Sequence, residues 1–202
     1  EEGMELIERM RLACERMRTL INDLLSFSRI SRNYDTHVKK VDLNNVLSDV
    51  FDELDEAIRA KEAVVHRSGS FPVIEGTEAE LYQLFQNIIS NALKYSAPDR
   101  KPVIDIISKN IRGRDARIEN EMTLEDPYCS ITVRDNGIGF DNKYAEKIFM
   151  IFQRLHGRHE YEGTGIGPAS CKKIVENHHG TIYATGTPGA GAAFTVILPL
   201  YA

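Results

Sequence analysis

Apolar residues recur at alternating spacings of three and four from Leu6 through Met10, Ala13, Met17, Leu20 and Leu24 to Phe27. Ile7, Cys14 and Ile21 widen this stripe, while Glu8, Arg9, Glu15, Arg16 and Asp23 fill the opposite side. The period predicts one amphipathic helix over residues 4–31. A stripe this wide suits a four-helix bundle better than a two-stranded seam. Residues 32–42 are polar and read as a linker. Asp42 is an N-cap residue by type, and helical periodicity follows from Leu43 to Ala60. Short β-type runs come next at Ala63–Arg67 and Phe71–Ile74. A second periodic helix spans Glu78–Tyr95, and Pro98 and Pro102 bracket a turn. Val103–Ile111 and Cys129–Asp135 are β-branched and read as strands. The charged stretch 112–127 between them reads as an exposed loop. Tyr144–Phe152 is predicted as a short helix and Pro168–His178 as a longer one. Thr181–Thr185 and Ala193–Pro199 are predicted to pair as strands.

Mixed strands and helices of this order predict the α+β class, with helices layered on one face of a sheet and a long helix in front. Three regions result: 1–32, a linker at 33–41, and a main domain at 42–202. The 202 residues are enough for one sizeable domain plus an appendage. A formal net charge of −5 argues against a general nucleic-acid surface. No apolar run is long enough to span a bilayer and no secretory signal is visible, so the expected compartment is the cytoplasm. Membrane anchoring of a longer parent protein stays open. Cys14, Cys129 and Cys171 show no metal-ligand spacing and read as reduced, semi-buried packing residues.

Four segments carry candidate chemistry. Asn87 and Asn91 are four apart and share one helix face, with Lys94 and Tyr95 one turn on. Amide oxygens are hard ligands suited to Mg²⁺, although alone the pattern also fits a solvated polar face. Asp135 enters the run Asp135-Asn136-Gly137-Ile138-Gly139-Phe140. Its carboxylate can accept a hydrogen bond from an amine, although Asp-Asn-Gly is equally turn chemistry. Gly137 and Gly139 let the backbone approach a ligand where a Cβ would clash. Phe149 and Phe152, followed by Arg154 and Leu155, read as core anchors. Gly163, Thr164, Gly165, Ile166 and Gly167 then offer backbone N–H groups and one hydroxyl at a helix N-terminus, a setting for phosphate.

In this order the segments resemble the N, G1, F and G2 boxes of the ATP-binding domain of sensor histidine kinases. That domain shares a superfamily with DNA gyrase, the heat-shock chaperone ATPases and the mismatch-repair ATPases. Residues 16–29 likewise resemble the second helix of the kinase dimerisation domain, and residues 152–167 look like those of phytochrome- and PAS-linked kinases. The resemblance implies a two-layer α/β sandwich and the cofactors ATP and Mg²⁺. It makes Asn91 the catalytic, magnesium-binding asparagine, with Asn87 assisting. Lys94 would offset phosphate charge, Tyr95 would line the pocket, and Asp135 would read the adenine. The glycines of both loops, with Thr164 and Ile166, would complete nucleotide binding. Residues 156–162 would form the lid over it. Implied partners are a second copy through the dimerisation helices, a response-regulator receiver domain and an upstream sensor domain, and no nucleic acid.

None of the six histidines lies in an acceptor-like setting, so the phosphoacceptor is expected on a helix preceding residue 1. His179 suits a left-handed C-cap. Pro168 and Ser170 depart from the leucine and the isoleucine or valine common in the family. Proline fits the first helical turn but removes an N–H. Weaker nucleotide binding is expected from these two residues. Two rivals follow: a degenerate kinase acting as a docking module, and another ATPase of the superfamily, such as an anti-sigma-factor kinase or gyrase-type clamp. Gyrase-type members place a glutamate where Asn87 stands, and neither type has the front helix.

Overall fold

The long front helix, α1, runs from Glu2 to Arg32 in the computed structural model, which describes residues 2–32, 38–115, 125–155 and 163–200. On its polar side Arg11 bridges Glu8 at 2.6 Å and Glu15 at 2.5 Å, the spacings at which helix side chains meet. Its apolar stripe is largely exposed, with Met10 and Met17 each more than half accessible. Burial begins only at the far end, where Ile30 joins the core of the main domain.

Strand β1 (Lys39–Asp42) follows and pairs antiparallel with β3 (Val73–Gly76), Val41 opposite Ile74. This strand lies in the stretch read as linker. It has four residues, two of them exposed lysines, so alternation had little length in which to show. Helix α2 (Leu43–Ala60) starts as expected at Asp42, whose carboxylate accepts the Asn44 amide hydrogen at 2.8 Å. After β2 (Val64–Ser68) and β3 comes helix α3 (Glu78–Lys94). Strands β4 (Val103–Arg112) and β5 (Pro127–Asp135), helix α4 (Gly167–Asn177) and the pair β6 (Thr181–Thr187) and β7 (Gly191–Pro199) complete the chain.

Five strands form one mixed sheet in the order β2-β4-β5-β7-β6. The β2–β4 pair is parallel, which requires a crossover, and α3 lies within it. The other pairs are antiparallel. Period-two alternation aims Ile104, Ile106, Ile131, Val133, Val196 and Leu198 at the helices. Helices α2, α3 and α4 answer with Leu47, Val50, Leu84, Phe85, Ile89 and Ile174, all with no more than 0% exposure. Each large side chain so buried stabilises the fold by roughly 1.5–3 kcal/mol. The opposite sheet face carries the small cluster Tyr128–Ile197, with Ile111 against it. The expected layering of helices on one face is therefore what forms.

Four expectations need correction. Tyr144–Phe152 is not one helix but two 3₁₀ turns, Asn142–Tyr144 and Lys147–Phe149. The chain then turns at Phe152, whose φ is +65°. Phe149 does meet Phe194 edge-on at 6.2 Å, but Phe152 is 55% exposed and anchors no core. Cys14 is exposed, while Cys129 and Cys171 are buried. The second β-type run also begins later than expected, at Val73. Of the loop between β4 and β5, residues 116–124 lie outside the described residues.

Candidate nucleotide site

Asp135 ends β5, where hydrogen bonding to β4 places it opposite Ile104. Its Oδ1 accepts the amide hydrogens of Gly137 at 2.8 Å and Ala192 at 3.2 Å. Burial pushes its pKa above the ordinary aspartate value, and the two backbone hydrogen bonds pull it back only in part. The carboxylate borders a cavity walled by Ala92, Phe140, Ile148, Leu155 and Phe194, with Asn91, Tyr95, Gln153, Arg154 and Pro168 also on its lining. An apolar slot with one oriented carboxylate suits a flat heterocycle bearing an amine donor.

The glycines beside Asp135 are required by protein backbone, which differs from the close approach to a ligand inferred from sequence. A Cβ on Gly137 would lie 2.3 Å from the Tyr95 carbonyl oxygen. Gly139 has a φ of +61°, and a Cβ there would lie 2.0 Å from the Thr187 carbonyl oxygen. The loop is thus clamped between the end of α3 and the β6–β7 turn. Asn136 adds a staple to the start of β4: it accepts from Val103 N–H at 2.9 Å and donates to the Lys101 carbonyl at 3.0 Å.

Helix α3 brings Asn87 and Asn91 toward the first residue of α4. A Cβ on Gly167 would lie 3.4 Å from Asn87 Oδ1 and 4.0 Å from Asn91 Nδ2. Two side-chain amides thus border a cradle that glycine keeps open at a helix N-terminus. That donor set fits a hard cation shared with phosphate oxygens. Among the described residues no cluster of three His, Cys, Asp or Glu competes for this role. Lys94 points along the same edge, its Nζ 3.2 Å from the Tyr95 hydroxyl and 4.6 Å from that ring's centre. A Cβ on Gly163 would lie 2.5 Å from Lys94 Nζ, so the second glycine loop passes against the ammonium group.

Within that loop Gly165 has a φ of +76°, and its carbonyl accepts the Phe152 amide hydrogen at 3.0 Å. Ile166 is 1% exposed, so its side chain is closed to a ligand. Thr164 is engaged elsewhere: its hydroxyl donates to Asp23 of α1 at 2.5 Å. Pro168 falls in the first turn of α4, and Ser170 is buried. His156 and His159, with the rest of the stretch read as a lid, lie outside the described residues. His179 takes the left-handed conformation, with φ at +54°. Sequence reasoning missed Ala192, Gly191 and Asn136. A Cβ on Gly191 would lie 2.0 Å from the Asp135 carbonyl oxygen and its φ is +99°, so the glycine itself was the signal available in the sequence.

The family described as histidine kinase-, DNA gyrase B-, and HSP90-like ATPase matches residues 76–202. The chain is 35% identical over 200 residues to phytochrome-like protein Cph1 of Synechocystis, covering 99% of this chain and 24% of that protein. It is 32% identical over 190 residues to sensor protein kinase WalK of Staphylococcus saprophyticus, covering 92% and 28% respectively. The chain thus spans about a quarter of the length of these relatives. Full-length ShkA, solved in complex with AMPPNP, superposes with a TM-score of 0.73 at 21% identity, over 98% of this chain and 39% of that one. Histidine kinase ThkA, solved in complex with response regulator TrrA, gives 0.69 at 19% identity, over 100% and 52%. These likenesses show the fold.

Proposed function

The chain belongs to the histidine kinase-, DNA gyrase B-, and HSP90-like ATPase family, and on that premise we propose that it is the ATP-binding catalytic region of a sensor histidine kinase. In this reading the γ-phosphoryl group of ATP passes to a histidine outside these residues and then to a response-regulator aspartate. The curated relatives are phytochrome-like and sensor kinases, and ThkA was solved with a response regulator. The observation that carries the reading is Asp135, a carboxylate oriented by two backbone amides on the wall of an apolar slot that Asn91 also lines.

Adenine would enter between Ala92, Phe140 and Ile148 and donate its exocyclic amine to Asp135. Tyr95 would line the pocket, with Gly137 and Gly139 holding the adenine loop in place. Lys94 would face the phosphates, and the backbone from Gly163 to Gly167 would donate to them at the start of α4. Asn91 and Asn87 would hold Mg²⁺, which when bound neutralises phosphate charge. The chain's own contribution is then orientation of the phosphates and exclusion of water, the usual terms in phosphoryl transfer. Among the three histidines described, His66 contacts Asp105 at 2.9 Å, His178 is buried and His179 takes the left-handed turn that closes α4, so none is offered as an acceptor.

We further read residues 1–32 as the second helix of the dimerisation domain, 33–41 as its linker, whose last three residues enter β1, and 42–202 as the catalytic domain. The exposed stripe of α1 would pair with a second copy. No helix among the described residues is long and apolar enough to cross a membrane. The test is calorimetric titration with a non-hydrolysable ATP analogue, with and without Mg²⁺, beside an Asp135→Asn control. Magnesium-dependent binding that weakens at least about tenfold in the control is expected, a loss of roughly 1.4 kcal/mol or more. A parent chain that binds nothing favours the docking-module reading, for which Pro168 on the cavity wall is the supporting observation.

A further inference from the structure

One contact joins α1 to the glycine loop across 141 positions of sequence. Thr164 Oγ1 donates to Asp23 Oδ2 at 2.5 Å, and the same oxygen accepts the Ile166 amide hydrogen at 3.4 Å. A hydroxyl carries one proton. While Asp23 holds it, Thr164 cannot donate to a phosphate, and the Ile166 N–H is turned toward Thr164 as well. One of the loop's donors, the Thr164 hydroxyl, is therefore held by α1, and a second, the Ile166 N–H, is held within the loop by that same threonine. Lys94 lies against the neighbouring Gly163, so the loop runs between an ammonium group of α3 and a carboxylate of α1.

The contact is set by a second anchor. The Asn177 side-chain amide, at the end of α4, donates to the Ile30 carbonyl at 2.9 Å. Ile30 is buried in the core, whereas most of α1 before it stands clear of the main domain. Asp23 and Ile30 thus fasten α1 to the loop that leads into α4 and to the last residue of α4.

We propose that Asp23 is a gate on nucleotide binding: docked on Thr164, its carboxylate withholds that hydroxyl and opposes the charge of the incoming phosphates, so affinity rises when α1 leaves the loop. The proposal rests on the ATP-binding reading above. Like charges brought together in a partly buried site repel, and the effect weakens with salt. Linkage makes the coupling reciprocal: bound nucleotide must weaken the docking of α1 by the same factor.

The experiment titrates the 202-residue chain and its Asp23→Asn and Asp23→Ala variants with the non-hydrolysable ATP analogue and with adenosine. Asp23 lies on the polar side of α1, so neither variant removes a core contact. Both variants are expected to bind the triphosphate about fivefold more tightly and adenosine as the parent does, with the difference shrinking at high salt. A parent that fails to bind the analogue while the variants bind it also supports the gate. Equal triphosphate affinities in parent and variants overturn the gate and leave the ATP reading intact. Equal tightening toward adenosine also overturns it, because the effect would then not involve phosphate. No binding by any of the three overturns the ATP reading and the gate together.

Discussion

His178 Nε2 accepts the Thr77 amide hydrogen at 3.0 Å and so ties the end of α4 to the start of α3. Thr77 is the N-cap of α3 yet provides no side-chain cap, and the imidazole satisfies the N-cap's own N–H, the donor that an N3 side chain takes in a capping box. Because Nε2 is the acceptor, Nδ1 carries the proton and donates to the Ile174 carbonyl at 2.8 Å. Gly76 makes room for the ring: a Cβ there would lie 2.6 Å from it. His178→Phe keeps a ring but leaves the Thr77 N–H without its acceptor. It is expected to cost about 1–3 kcal/mol, read as a lower urea midpoint. An unchanged midpoint would show that the latch contributes nothing.

The raised pKa of Asp135 gives a signed pH dependence. Its folded value lies above the unfolded one, with burial the main cause. The folded state therefore holds the proton more tightly. Stability from this group is present below the unfolded pKa and is lost as pH rises through the folded value. Asp135→Asn removes the titration, so the variant should gain stability relative to the parent as pH rises from the acid range to neutrality. Nucleotide binding needs the ionised acceptor. It should therefore weaken on acidification at a higher pH than an ordinary aspartate would give. Binding isotherms across the acid range check this, and a profile unchanged by the substitution would refute it.

Gly139→Ala tests the clamp on the adenine loop. The residue sits at a φ of +61° with the Thr187 carbonyl 2.0 Å from the new Cβ. Strain of this kind costs on the order of 1–3 kcal/mol, and relief requires the loop to move off the β6–β7 turn. Both thermal stability and nucleotide affinity should fall. A variant that loses affinity at full stability would instead assign Gly139 to direct ligand contact.

Thiol labelling separates the cysteines. Burial pushes the thiol pKa values of Cys129 and Cys171 up to about 12, so almost no thiolate forms near neutrality. Cys14 is exposed on α1. An alkylating reagent at pH 8 should add one label to the native chain and three after denaturation, counted by intact mass. Rapid native labelling at Cys171 would mean that α4 opens from the core.

Much of this architecture can be read from residue order because helix and strand periods are sampled over many positions. Helix α2 begins and ends where the pattern of Leu43 to Ala60 places it. Short elements escape this logic. The Ile148-Phe149 and Ile151-Phe152 pairs imitate helical spacing, but Ile151 and Phe152 face solvent and the backbone reverses at Phe152. The site divides in the same way. Asn87 and Asn91 declare themselves by spacing and Asp135 by its neighbours. The Ala192 N–H that orients Asp135 lies 57 positions away and has no side-chain signature. Asp23 looked like one more charge on a solvated helix face until folding set it beside Thr164.

The anchoring of α1 at Ile30 makes the helix a lever with its fulcrum at one end. At a rise of about 1.5 Å per residue, Leu6 stands roughly 36 Å from that fulcrum and Asp23 roughly 10 Å. A tilt of about 10° would carry the Leu6 end by about 6 Å and Asp23 by about 2 Å, on the same helical dimensions. The smaller travel is enough to part the Asp23–Thr164 pair. A modest displacement applied at the distant end would thus arrive at the glycine loop as the making or breaking of a single hydrogen bond.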